Sequence, residues 1–244
     1  MRHLLLVLPL LACPLLMHPG AAQSFTPQQR GEIVEVLREA LRSDPSILRD
    51  AVAALETDEA RVQEVASRTA VAAARDQLVD PADPVAGNPL GDVTVVEFYD
   101  TRCPYCRRMR PVLAELMRLD PKLRVVIKDM PVLGPGSVLE ARALLAAQRQ
   151  GGYFPLQAAL MRGTAQPDRD GIRAEAARLG LDGGALLRDM DDPAVKSRIE
   201  ANLALARVLG LKGVPAYVIG TQVFPGAVEL ATLQQAVAEA RALR

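Results

Sequence analysis

Two cysteines separated by a proline and a tyrosine, Cys103 and Cys106, fall where an apolar strand pattern gives way to an amphipathic helix pattern, and few folds can house that junction. Residues 95–116 read VVEFYDTRCPYCRRMRPVLAEL. Both faces of the run TVVEFY are apolar, which predicts a central strand covered on both sides. Pro104 suits the first position of a helix, where its missing N–H leaves nothing unpaired and its φ is already helical. Cys103 then becomes the N-cap. Met109, Val112, Leu113, Leu116 and Met117 recur at helical spacing and predict a face packed on the sheet, with Arg107, Arg108 and Arg110 elsewhere. Pro111 is expected to kink this helix.

The spacing carries chemistry because the thiolate, not the thiol, attacks disulfides, and an unperturbed cysteine with a pKa of about 8.5 is little ionised at neutral pH. Beside the unpaired N–H groups of a helix start, and near Arg102, Arg107 and Arg108, Cys103 is expected to have a lowered pKa. Cys106, one turn further, is within reach and is the expected resolving cysteine. A structural disulfide and a metal site stay open as other uses of the pair. A bridge across so short a loop removes little chain entropy, and a closed zinc site wants four ligands. Redox work is the favoured reading.

Residues 1–22 read as an export signal: Arg2 and His3 precede an apolar stretch, residues 4–17, and Gly20-Ala21-Ala22 offers small residues for cleavage. Leu10-Leu11-Ala12-Cys13 loosely resembles an acylation motif, so lipoprotein anchoring at Cys13 is an alternative. A buried N-terminal helix is another, with Pro9 and Pro14 counting against it. Removing the segment takes away His3, His18 and Cys13, which leaves Cys103 and Cys106 as the only cysteines and no histidine. Histidine general-base and histidine–metal mechanisms are thereby excluded. Export also implies an oxidising compartment, where two cysteines so close together are kept for chemistry. The whole chain of 244 residues balances 29 basic against 29 acidic side chains, without the basic footprint of a nucleic-acid binder, and no later apolar run is long enough to span a bilayer.

Residues 25–78 are helical in pattern, in three segments: Thr26-Pro27 starts one with Ile33, Leu37 and Leu41, Asp44-Pro45 restarts the next, and an alanine-rich third covers residues 58–78. The apolar stripes are narrow and roughly 55 residues make a marginal core. Their faces either fold back on the rest of the chain or serve oligomerisation, the reading preferred here. Residues 79–90, VDPADPVAGNPL, are expected to be a linker. The domain plan is therefore a signal at 1–22, an N-terminal helical oligomerisation region with linker at 23–86, and a catalytic domain at 87–244. Within the latter, strands at 94–99 and 123–127 flank the cysteine helix, a helical block covers about 137–209, and two strands at 216–219 and 222–224 precede a last helix at 228–243.

Four spaced elements, Glu97-Phe98-Tyr99, Cys103-Pro104-Tyr105-Cys106, residues 130–135 (MPVLGP) and residues 213–220 (GVPAYVIG), resemble the thioredoxin superfamily. Specifically they resemble its DsbA-like branch, closest to the bacterial ScsC and Com1-type periplasmic proteins. The resemblance implies an α/β thioredoxin fold with an inserted helical subdomain, preceded by a stalk-like helical extension that makes the protein a homo-oligomer. It makes Cys103 the exposed nucleophile, Cys106 the buried partner and Glu97 the buried acid that moves the second cysteine's proton. A carboxylate among Val95, Val96 and Phe98 should also have its pKa raised by desolvation, unless Glu97 is an ordinary surface acid. Pro215 corresponds to the family's cis-proline, and Val214 before it presents backbone to a substrate strand. Pro104 and Tyr105 complete the substrate-facing set. No cofactor is expected beyond a redox-active Cys103–Cys106 disulfide, and no resident metal.

The expected activity is that of a periplasmic thiol–disulfide oxidoreductase forming mixed disulfides with cysteine-containing protein substrates and served by a membrane redox partner. Tyr105 replaces the histidine of strongly oxidising relatives, which tilts the balance slightly toward isomerase or reductase. Val214 before the proline resembles the oxidases, so a dithiol oxidase is the alternative. From another class come a copper carrier, with Cys103, Cys106 and Met109 as soft ligands, and a holdase whose helical region does the work.

Overall fold

A computed structural model of the chain describes residues 25–163 and 167–243. The expected signal at 1–22 and Cys13 lie outside them. The chain divides into two compact units between Asp58 and Glu59.

In the first unit, α1 (Pro27–Ser43) opens on a capping box in which the Thr26 hydroxyl accepts from the Gln29 N–H and the Gln29 side chain accepts from the Thr26 N–H. The next helix, α2 (Ser46–Ala73), starts where the Asp44 carboxylate accepts from the backbone and hydroxyl of Ser46. It does not break near Asp58 as its pattern suggested. No glycine or proline interrupts its 28 residues, and the Thr57 hydroxyl donates back to the Ala53 carbonyl within the same helix. Ile33, Val34, Leu37, Ile47, Leu48, Val52 and Leu55 all remain exposed.

The second unit adds a single-turn helix, α3 (Arg75–Leu78), and then a five-stranded sheet. Its strands are β1 (Val85–Gly87), β2 (Val93–Tyr99), β3 (Leu123–Asp129), β4 (Ala216–Ile219) and β5 (Gln222–Pro225), in spatial order β1-β3-β2-β4-β5. Strands β2 and β3 are parallel, joined by the crossover helix α4 (Pro104–Leu119), and the other pairings are antiparallel. The inserted block holds α5 (Pro135–Gln148), α6 (Tyr153–Arg162), α7 (Arg169–Arg178), α8 (Gly183–Asp189) and α9 (Pro193–Val208), and α10 (Leu230–Ala242) closes the chain. This is the thioredoxin fold with a helical insertion.

Alternation along β2 sorts the core. Val95 and Tyr99 join Val125, Ile127, Tyr217 and Ile219 under α4, α5 and α10, while Val96 and Phe98 face the other way, onto Val71, Leu78 and the α9 residue Leu205. Both faces of the central strand are thus covered, as its unbroken apolar run requires.

The segment before residue 87 departs from the expected linker. Val71, Ala74 and Leu78 are core residues, and Val85–Gly87 pairs with β3 as the sheet's edge. Asp83, inside the expected linker, is 4 % exposed and forms an ion pair with the equally buried Lys128, whose ammonium also donates to the Gln77 carbonyl at 2.5 Å. The structural unit around the sheet therefore begins well upstream of the expected boundary at 86/87. β1 escaped notice because three residues between Pro84 and Asn88 are too few to show alternation.

Candidate active site

The cysteine turn is built by three local features. Strand β2 ends at Tyr99, Pro104 occupies the first position of α4, and Cys103 stands between them as the N-cap with extended φ −71° and ψ 121°. The helix continues through Pro111 to Leu119, with Met109, Leu113 and Leu116 buried and Val112 and Met117 partly buried against the core.

What holds the turn is a residue the sequence did not flag. The buried Asp100 carboxylate accepts from the N–H of Arg102 (2.8 Å), of Val132 (2.9 Å) and of Leu133 (3.1 Å), and from the Ser137 hydroxyl (2.9 Å). One side chain thus joins the cysteine turn, the loop after β3 and the first turn of α5. Alongside it, Thr101 donates to Glu140 at 2.5 Å and Arg102 pairs with the same carboxylate at 3.4 Å. The only sequence signal for this role was an acid placed just before the turn and a serine at the start of α5.

Cys103 and Cys106 are both free thiols. Cys103 is 4 % exposed and Cys106 fully buried, so the expected exposed nucleophile is nearly covered, though it remains the more open of the two. Its cover comes from the loop ahead of β4: the Cys103 thiol donates to the Val214 carbonyl at 3.4 Å. The Val214–Pro215 bond is cis, with Pro215 buried and Val214 half-buried. Burial pushes the Cys106 thiol far above its ordinary value, with Cys103 and Glu97 acting in the same direction against the Asp100 backbone.

Glu97 lies on β2 with 0 % exposure, and so is no surface acid. Burial raises its pKa to about 7, opposed by the Arg110 guanidinium and the Tyr217 hydroxyl. Tyr217 is its register partner on β4 and donates to Oε1 at 3.4 Å, while Arg110 approaches Oε2 at 3.8 Å, too far to hydrogen-bond. Neither residue was singled out from sequence, although antiparallel pairing of β2 with β4 would have put Tyr217 opposite Glu97. On the same sheet face a second buried acid, Asp129, accepts from Tyr153 at 2.9 Å and is also raised to about 7 by burial.

Pro104 and Tyr105 are exposed at the lip, and the Tyr105 ring lies under the Arg108 guanidinium at 4.3 Å. Met109 is buried one turn beyond Cys106. Among the described residues no group of three or more His, Cys, Asp or Glu is arranged to hold a metal ion, and no helix is long and apolar enough to cross a membrane.

Residues 94–238 match the model of the DsbA-like thioredoxin domain. The chain belongs to the DsbA-like thioredoxin domain family. A thioredoxin-like oxidoreductase from Silicibacter pomeroyi DSS-3 is 46% identical, with 69% of this chain and 98% of that one covered at a TM-score of 0.66. ScsC of Proteus mirabilis in a transitional conformation is 30% identical, and the match takes in 90% of this chain and 100% of that one at a TM-score of 0.66. The curated relatives that match are sodium/proton antiporters. NhaA of Herminiimonas arsenicoxydans is 32% identical over 143 residues, and the chain spans about a quarter of these proteins' length, 23% in that case. The DsbA-like match thus includes β2, the cysteine turn, the helical insertion and the cis-proline loop.

Proposed function

We propose that the chain is an exported thiol–disulfide oxidoreductase of the periplasm that acts on cysteine-containing protein substrates. The observation that carries this reading is the contact between the Cys103 thiol and the Val214 carbonyl beside a cis-proline, with a buried Cys106 and Glu97 behind it.

From the dithiol state, the Cys103 thiolate attacks one sulfur of a substrate disulfide. The substrate S–S bond breaks, and the departing sulfur leaves as a thiolate that takes up a proton. Cys106, its proton passed to Glu97, then attacks the Cys103 sulfur of the mixed disulfide and frees the second substrate thiolate. Two electrons reach the substrate, and a Cys103–Cys106 disulfide remains. In isomerisation a second substrate thiol attacks the mixed disulfide instead, and the chain returns to its dithiol.

Isomerase or reductase work is slightly preferred over oxidase work. The support is Tyr105, whose ring is turned to Arg108 and makes no hydrogen bond to Cys103 among the described residues. Without a donor in the turn the reduced state is less favoured and the disulfide less oxidising. Exposed Leu37, Leu48 and Leu55 support a homo-oligomer formed through the N-terminal helices, and recycling would fall to a membrane redox partner.

The test compares two assays on the full chain: reactivation of scrambled ribonuclease in a glutathione buffer, and oxidation of reduced ribonuclease by the disulfide form. Faster reactivation than oxidation supports the isomerase reading, and the reverse supports the oxidase. Activity undiminished in Cys103→Ala sinks both and returns attention to a holdase.

A further inference from the structure

The stretch of chain around Cys103 exposes charge of one sign. Residues 100–112 include Arg102, Arg107, Arg108 and Arg110 but a single acid, Asp100, which is 3 % exposed and occupied by backbone donors. The neighbouring acids Glu97 and Glu140 are buried as well.

Two of these cations already have carboxylates: Arg102 meets Glu140, and Arg110 is drawn toward Glu97. Arg107 and Arg108 do not. Arg107 donates to the Thr101 carbonyl at 3.0 Å and Arg108 stacks on Tyr105, and among the described residues neither of them has a carboxylate within ion-pair distance. The charge is local, since the whole chain is balanced at 29 and 29. Several surface arginines elsewhere are neutralised in place, as Arg149 is by Asp189 and Asp192 and Arg241 by Asp92 and Asp120. Beside this cationic rim lies an apolar ledge of Tyr105, Val132 and Leu133, each roughly half exposed.

Building on the oxidoreductase reading above, we propose that the polypeptide segment accepted at Cys103 is an acidic one, its disulfide flanked by aspartate or glutamate and drawn in by Arg107 and Arg108. Exposed charges of this kind act chiefly on encounter, speeding association with an oppositely charged partner and losing their effect as salt screens them. A segment rich in lysine meets like charge at Arg107 and Arg108.

The test uses the reduced full chain and three cyclic peptides of equal length, each closed by one internal disulfide and flanked by glutamate, glutamine or lysine. Rates of peptide reduction are measured from about 20 to about 300 mM salt, over which the screening length falls from roughly 20 to roughly 6 Å. The glutamate peptide should react about tenfold faster than the glutamine peptide at low salt and the lysine peptide more slowly, with the differences closing at high salt. In the double variant Arg107→Gln/Arg108→Gln the glutamate-to-glutamine ratio should fall toward one. A ratio compares two peptides on one protein, so any change in the reactivity of Cys103 itself cancels. Equal low-salt rates for these two peptides, or a ratio that survives the double variant, overturns the proposal and leaves the oxidoreductase reading standing. Failure to reduce any of the three peptides overturns both.

Discussion

The thiol of Cys103 donates to the carbonyl of Val214, 111 positions later in the chain, at 3.4 Å. The sulfur that would attack and the backbone that would present a substrate strand therefore share one narrow cleft. A substrate whose N–H groups pair with Val214 brings its own sulfur to the same place, at the cost of displacing this contact.

Removing Cys106 should strand the exchange halfway. A Cys106→Ala variant incubated with reduced and oxidised protein substrates should accumulate mixed disulfides through Cys103, seen as shifted bands on non-reducing gels that dithiothreitol collapses. Cys103→Ala should give none, and shifted bands in that variant would mean that Cys106, buried as it is, can be reached directly.

Glu97 should tie both rate and stability to pH. Its carboxyl rises from 4.5 to about 7 on folding, so between those values the folded chain holds a proton that the unfolded chain has released. Stability from this group is therefore complete below pH 4.5 and lost as pH climbs through 7, a change of about 3 kcal/mol. In Glu97→Gln that loss disappears: urea midpoints should match the parent near pH 4.5 and exceed it near pH 8.5. The same variant should slow resolution of a mixed disulfide by about a hundredfold in stopped-flow measurements, because no carboxylate takes the Cys106 proton. Asp129 leaves a residual pH dependence of the same sign.

Asp100→Ala orphans three backbone N–H groups and one hydroxyl. With water able to reach some of them, a cost of about 3 kcal/mol is expected in denaturant unfolding, and Asp100→Asn should recover part of it.

Lys128→Met strips a fully buried carboxylate, Asp83, of its closest cation, although Arg198 remains at 3.2 Å. A loss near the lower end of the range for broken buried pairs, about 3 kcal/mol, is expected. Lys128→Met with Asp83→Leu should restore much of it, since two apolar side chains of similar size can replace a desolvated pair. Calorimetric unfolding of the parent, the single and the double variant decides this.

The parts of the fold visible in the sequence were those with a repeating physical signature. The seven residues of β2 are apolar on both faces because both faces are covered, and the α4 stripe from Met109 to Leu116 repeats because one side of that helix meets the sheet. Cys103 and Cys106 were legible because two thiols one helical turn apart have few other uses. What the sequence hid is what only pairing reveals. Asp83 and Lys128 are ordinary surface letters until the fold brings together positions 45 apart, and Tyr217 reads as another strand aromatic until β4 lies beside β2. The long α2 was hidden for the opposite reason, as its middle carries no break at all.

Asp100 leaves one lesson for redesign. A worker wishing to retune what the cleft beside Cys103 accepts would naturally graft a new loop in place of residues 131–134. Because that loop hangs from the same carboxylate as the cysteine turn, the graft is not a modular swap, and a donor loop lacking two backbone amides in the places of Val132 and Leu133 would slacken the reactive sulfur along with the specificity it was meant to change.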